Sequence, residues 1–127
     1  MQVHHRLIIR HPTDGTILVE ETDGAGRLPI VLADDRHTAE VDYLNAAAMD
    51  RFGLTTTVLR SVSHSDDPKA IVRVHELQAH GARLPQHDGV RWIGPDPRMF
   101  GADDRTAIAQ WRARDGRDRP DWTEPRW

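Results

Sequence analysis

Apolar and polar residues alternate from the start of the chain. Val3, His5, Leu7 and Ile9 fall on one face of an extended segment over residues 3–10, with His4 on the other, and this period of two predicts a strand. The turn His11-Pro12-Thr13-Asp14-Gly15 contains an Asp-Gly step and leads into a second apolar run over residues 16–21. The two strands are therefore expected to form a hairpin. A glycine turn at residues 23–26 then gives way to a short apolar run, Leu28-Pro29-Ile30-Val31-Leu32.

From Thr38 the period changes. Val41, Leu44, Ala48 and Phe52 fall on one helical stripe, Thr38 can cap the first turn, and Glu40 and Asp42 suit its positive end. Gly53 follows as a C′ residue, so a helix is predicted over residues 38–52. The β-branched run at residues 54–62 and the run at residues 70–77 flank a polar turn at residues 64–68 and predict an antiparallel pair. A loop holding Gly81, Pro85 and Gly89 precedes a last strand, Val90-Arg91-Trp92-Ile93. A final helix is expected over residues 103–114, burying Ala107, Ile108 and Trp111, with Asp103 or Asp104 at its start and Gly116 stopping it. Residues 1–116 read as one domain. Residues 117–127, which carry Pro120, Pro125, Trp122 and Trp127, read as a tail or linker, and the stop at Trp127 without a closing element suggests a fragment of something longer.

Composition narrows the function classes. A chain of 127 residues can bury a core without staples, and the lack of cysteine excludes disulfides and thiolate chemistry. A net charge of −3 with no recognition motif argues against nucleic acid as a partner. The apolar stretch after Met1 is too short for a signal peptide, and no stretch approaches the roughly 18 apolar residues of a membrane span. A soluble, cytoplasmic protein with no membrane partner is expected.

The histidines give no metal pattern. His4 and His5 point to opposite faces of a strand, His75 and His80 lack a carboxylate at ligand spacing, and His64-Ser65-Asp66-Asp67 reads as a solvated turn. Gly24-Ala25-Gly26 is a lone G-x-G with no helix after it, which a hairpin turn explains. Asp34-Asp35 and Asp103-Asp104 read as helix-start residues, and Trp92 and Trp111 as core. No cofactor and no metal are expected.

The order hairpin, short strand, capped helix, two strands, Trp-bearing strand and helix resembles the Nudix hydrolase superfamily fold over roughly residues 3–114. Arg27-Leu28-Pro29, Arg51-Phe52-Gly53-Leu54 and Val90-Arg91-Trp92-Ile93 carry the resemblance. It implies an α/β/α sandwich with a mixed central sheet. The family's signature is G-x5-E-x7-R-E-U-x-E-E-x-G-U, with U a bulky aliphatic residue, and its glutamates hold divalent metal against a diphosphate. Anchored on Gly53 and Leu54, the signature's arginine falls on Ala46 and its three helical glutamates on Ala47, Asp50 and Arg51. The aliphatic position falls on Ala48, and the leading glycine and first glutamate fall on Leu32 and Thr38. Asp50 alone keeps a carboxylate. Glu40 lies ten residues away, about 15 Å along a helix, too far to share an ion with it.

The resemblance therefore implies a degenerate active site with no catalytic residues. The leading expectation is a non-catalytic ligand-binding or interdomain module, with its pocket beside Tyr43, Ala47, Asp50 and Arg51 and a nucleotide-like small molecule as ligand. Two alternatives stand beside it: a metal-dependent hydrolase of nucleoside-diphosphate-linked substrates using other carboxylates, and a structural or dimerising domain. The segment from Arg119 to Trp127 is also similar to the linker by which degenerate Nudix-like domains precede phosphotransferase-type domains in some bacterial proteins. That similarity implies a downstream domain or protein partner reached through the tail.

Overall fold

The structure, a computed structural model, describes residues 2–22, 25–34, 40–66, 71–81 and 89–118. The strands are β1 (Gln2–Arg10), β2 (Ile17–Thr22), β3 (Ala25–Arg27), β4 (Ile30–Asp34), β5 (Thr55–Asp66), β6 (Ile71–His80) and β7 (Val90–Ile93). The helices are α1 (Glu40–Phe52), between β4 and β5, and α2 (Ala102–Asp118), after β7 and a short 3-10 turn at Pro97–Met99.

Alternation in β1 sorts its side chains onto two cores. Leu7 and Ile9 meet Leu44 and Phe52 of α1, together with Leu18, Val31, Leu77 and Ala79. Ile8, between them, points the other way and meets Ala107, Ile108 and Trp111 of α2, with Ile17, Val19, Leu28, Val62, Val74 and Phe100. One helix therefore covers each face of a single sheet, as the α/β/α expectation requires. Trp111 is buried in the α2 core, and Trp92 is half-buried against the α1 core with its ring edge-on to His11 at 5.0 Å.

The sheet is mixed. β1 runs parallel to β6 over eight residue pairs, from Val3↔Ile71 to Arg10↔Gln78, and antiparallel to β4 from Gln2↔Asp34 to Arg6↔Ile30. β5 lies antiparallel to β6, as expected, with two register shifts along its length. β2 pairs antiparallel with both β3 and β7. The expected β1–β2 hairpin forms, but its strands are in register only at Arg10↔Ile17 and then diverge. Its turn is held by His11 N–H donating to Thr16 O at 2.8 Å, by the Thr16 N–H on Asp14 Oδ1 at 2.9 Å, and by Gly15 at φ 78.

α1 ends as its sequence predicts. Gly53 adopts φ 67, a region costly for a side chain, and its N–H closes on Met49 O at 2.9 Å. The Thr38 cap lies outside the described residues, as do residues 82–88 and the tail from residue 119.

Three expectations are corrected. Gly116 does not stop α2, which runs on to Asp118. His64, Ser65 and Asp66 are not turn but the last residues of β5, paired with Arg73, Val72 and Ile71, because β6 is long enough to carry the ladder that far. Asp104 is not a cap. Its carboxylate is buried, accepting the N–H of Leu28 at 3.1 Å and a hydrogen bond from Arg6 Nη1, so it joins α2 to the sheet.

Candidate functional site

Tyr43, Ala47 and Arg51 follow one another at i, i+4 and i+8, so they share the side of α1 that meets the sheet. Tyr43 and Ala47 are half-buried against the α1 core. The Tyr43 hydroxyl donates to Leu32 O at 2.8 Å, tying the helix to β4. Asp50 is exposed.

Arg51 makes the most specific contacts of this group. Its Nη1 donates to Ile30 O on β4 at 2.7 Å, and its Nη2 donates to Glu20 Oε1 on β2 at 2.9 Å. The guanidinium carbon also lies 5.0 Å from the Phe52 ring centroid. Glu20 Oε2 faces Arg27 Nη2 at 3.8 Å, since Glu20 and Arg27 stand directly opposite in the β2–β3 ladder. Two guanidiniums therefore converge on one carboxylate whose side chain is 17% exposed, and the cluster carries a net positive charge. The sequence does not single out Glu20. Its signal is parity: it shares the α1 side of β2 with buried Leu18, where an apolar residue is the usual occupant.

The residues at this place do not fit a divalent cation. Such an ion is usually held by one or two carboxylates with waters and substrate phosphate around it. The positions aligned with the signature's glutamates carry Ala47, Asp50 and Arg51, and the nearby Glu20 is already engaged by Arg51 and Arg27. A fixed guanidinium 2.9 Å from the available carboxylate repels a cation and competes with it for the same oxygen. Among the described residues no three His, Cys, Asp or Glu side chains gather as a metal-ligand group.

Among the described residues, three of the buried polar contacts elsewhere in the sheet join strands or tie a helix to them. Glu76 on β6, 2% exposed, accepts from Arg60 Nε of β5 at 2.8 Å and from Arg10 Nη1 of β1 at 3.2 Å, so one carboxylate staples three strands on the α2 side. Asp104 with Arg6 and the Leu28 N–H forms the second unit. His5 and His75 form the third, with His5 Nδ1 3.0 Å from His75 Nε2. His75 thus faces His5 across the β1–β6 seam, while His80 Nε2 lies 2.6 Å from Thr57 Oγ1.

No protein-family model matches the sequence, and no curated protein sequence matches it. Solved structures do match in fold. The chain is similar to a Nudix hydrolase from Nitrosomonas europaea, with a TM-score of 0.70 and 10% identity, over 94% of this chain and 74% of that one. It is similar to an ADP-ribose pyrophosphatase from Streptococcus suis, with a TM-score of 0.64 and 16% identity, over 94% of this chain and 93% of that one. It is also similar to a larger protein of Sinorhizobium meliloti, with a TM-score of 0.66 and 14% identity over 88% of this chain, and spans 40% of that protein's length. At these identities the likeness establishes the fold alone, and the fold is Nudix-like.

Proposed function

Taking the Nudix-like fold as the premise, we propose that the chain is a non-catalytic module that binds a ligand or packs against a partner domain. One observation carries this reading: where the signature places a metal-holding carboxylate, Arg51 is fixed to Glu20 and to the Ile30 carbonyl. Diphosphate hydrolysis near neutral pH relies on a metal ion to neutralise phosphate charge and help form hydroxide. A helix presenting Ala46, Ala47 and Arg51 supports neither step. Packing is kept, because Leu44, Ala48 and Phe52 of α1 remain buried against the sheet.

The ligand proposed is a nucleotide-like small molecule held beside Tyr43, Asp50 and Arg51, and the place of action is the cytoplasm. The partner proposed is a downstream domain or another protein, met through the tail. Among the described residues no helix is long and apolar enough to cross a membrane.

The test pairs binding with turnover. Nucleoside diphosphates, dinucleotides and nucleotide sugars would be titrated by calorimetry with Mg²⁺ and with chelator, and the same set screened for hydrolysis. The expected result is binding that survives chelator and is weakened by Arg51→Ala, with no chelator-sensitive turnover. Turnover above about 0.1 s⁻¹ that chelator abolishes would overturn the reading, since that rate already approaches the lower end of ordinary enzymes.

A further inference from the structure

The connection from β7 to α2 leaves the sheet where Ile93 packs against the α2 core, and it turns at once. Asp96 N–H donates to Gly94 O at 2.8 Å and Met99 N–H to Asp96 O at 3.0 Å, so residues 94–99 are held by their own backbone. Beside them on α2 stands Arg112, exposed and next to the buried Trp111 that anchors the helix. Together Gly94, Pro95, Asp96, Arg98 and Arg112 line a cleft of about 580 Å³. Small-molecule sites commonly span about 300–1,000 Å³. The cleft is separate from the place beside Arg51, because α1 and α2 cover opposite faces of the sheet.

The charges lining the cleft do not balance. Arg98 is committed to Asp96. Its Nε lies 3.2 Å from both carboxylate oxygens, its Nη2 2.9 Å from Oδ2, and its backbone N–H donates to Oδ1 at 3.0 Å. Arg112 is held differently. Its Nη1 meets Pro95 O, a neutral acceptor, at 3.4 Å. Two guanidiniums and one carboxylate leave one positive charge, and the guanidinium with the weaker engagement is that of Arg112. A guanidinium carries five N–H donors in a fork that matches a carboxylate or a phosphate. Pro95 adds an apolar wall beside it, and Gly94 leaves room, since a Cβ there would meet nothing within 4 Å.

We propose that this cleft is a second ligand site, taking a small organic oxyanion (a carboxylate or a phosphate ester) whose charged group sits on Arg112 and whose apolar body lies against Pro95. Asp96 sets the direction of approach, because its carboxylate repels an anion on the Arg98 side of the cleft. Arg112 is solvated, so the affinity is modest, about 1 mM. The inference does not depend on the reading of the α1 site, and it holds whether or not that site takes a nucleotide.

The experiment titrates the full chain, labelled with nitrogen-15, with phenyl phosphate, benzoate and benzylamine at pH 7 and about 0.15 M salt. At least one of the anions should give saturable shifts at the amides of residues 94–98 and at Arg112 Nε–H, and the tighter one identifies the charged group. Benzylamine should give no shifts there. Arg112→Gln should weaken the anion about tenfold, and Asp96→Asn, which releases Arg98, should tighten it about threefold. Arg105→Gln removes the same charge from the same helix outside the cleft and should leave the affinity unchanged. Arg105 and Arg112 are both exposed, so these variants keep the fold, and their amide spectra verify it. The proposal is overturned if neither anion saturates at these residues, or if benzylamine binds as well. It is equally overturned if Arg105→Gln weakens binding as much as Arg112→Gln, since the attraction would then be diffuse charge and not a site.

Discussion

Arg51 Nη2 lies 2.9 Å from Glu20 Oε1, joining α1 to β2 across 31 residues of sequence. The same guanidinium reaches Ile30 O, so one side chain crosses from the helix to two strands. A cation built into the protein thus holds the helix against the sheet. The pair is partly solvated, with Arg51 34% and Glu20 17% exposed, and its value lies in fixing the helix more than in raw energy.

Arg51→Ala should therefore cost about 1 kcal/mol, from one partly screened ion pair and one hydrogen bond to a carbonyl. The melting temperature should fall by roughly 4 °C. Glu20→Arg or Arg51→Glu alone should each be worse than alanine, because each sets like charges together, and the combined swap should recover part of the loss. A double-mutant cycle with no coupling between the two positions would show that the contact contributes nothing.

Glu76 should be the least tolerant polar position. Glu76→Ala removes the carboxylate shared by Arg10 and Arg60 at a 2% exposed site and should destabilise by about 3 kcal/mol, discounted because both arginines reach water. Glu76→Gln keeps the acceptor oxygen and should cost less. Urea midpoints for the two variants would measure this, and equal losses would mean that the site requires the charge and not merely an acceptor oxygen.

Asp96 offers a local pH test. Hydrogen bonds from the Arg98 side chain and then from its backbone N–H hold the Asp96 carboxyl down at about 2. Arg98→Ala should return it towards the ordinary value of about 3.9, as read by carboxyl carbon NMR. Because the folded value is depressed, whatever this pair contributes is present above about pH 4 and lost as pH falls towards 2. The site is solvent-facing, so global stability should hardly change. A carboxyl that titrates identically in both proteins would contradict the contact.

How far sequence could reach is set by locality. The alternation of Val3, His5, Leu7 and Ile9 and the stop at Gly53 are local patterns, and both appear as predicted. The parallel β1–β6 ladder joins residues nearly seventy positions apart and leaves no mark in either strand's own pattern. Asp104 departs from expectation because an acid in the first helical turn looks the same in sequence whether it faces water or a part-buried Arg6. Gly116 departs from expectation because propensity is weak against a helix with packing behind it at Trp111. Glu20, Glu76 and His75 were legible in principle. Each is a polar residue at the inward parity of an apolar strand, and such residues are buried only with partners.

The final prediction concerns a charge reversal at Arg51. Glutamate at position 51 would extend from the same helical turn towards Glu20, with Asp50 on the preceding residue. In Arg51→Glu the nearer of the two guanidiniums on Glu20 is gone, leaving Arg27 at 3.8 Å, and two carboxylates meet where the closer ion pair stood. Two carboxylates brought together either repel, protonate, or recruit a cation. The variant should therefore be less stable than wild type in chelator and regain stability as Mn²⁺ is added. Adding Ala47→Glu one turn earlier places a third carboxylate on the same side of α1 and should strengthen the response, although Ala47 is half-buried and tolerates less volume. A ligand at a hundred times its dissociation constant stabilises the folded state by about 2.7 kcal/mol, so the gain is readable as a melting shift. Wild type should show no such shift at the same Mn²⁺ concentration. If wild type responds to Mn²⁺ as strongly as the variants, Arg51 does not block a cation, and the non-catalytic reading loses the observation on which it stands. If neither variant responds while both remain folded, α1 and Glu20 do not converge closely enough to hold an ion, and Arg51 is not what keeps a cation out.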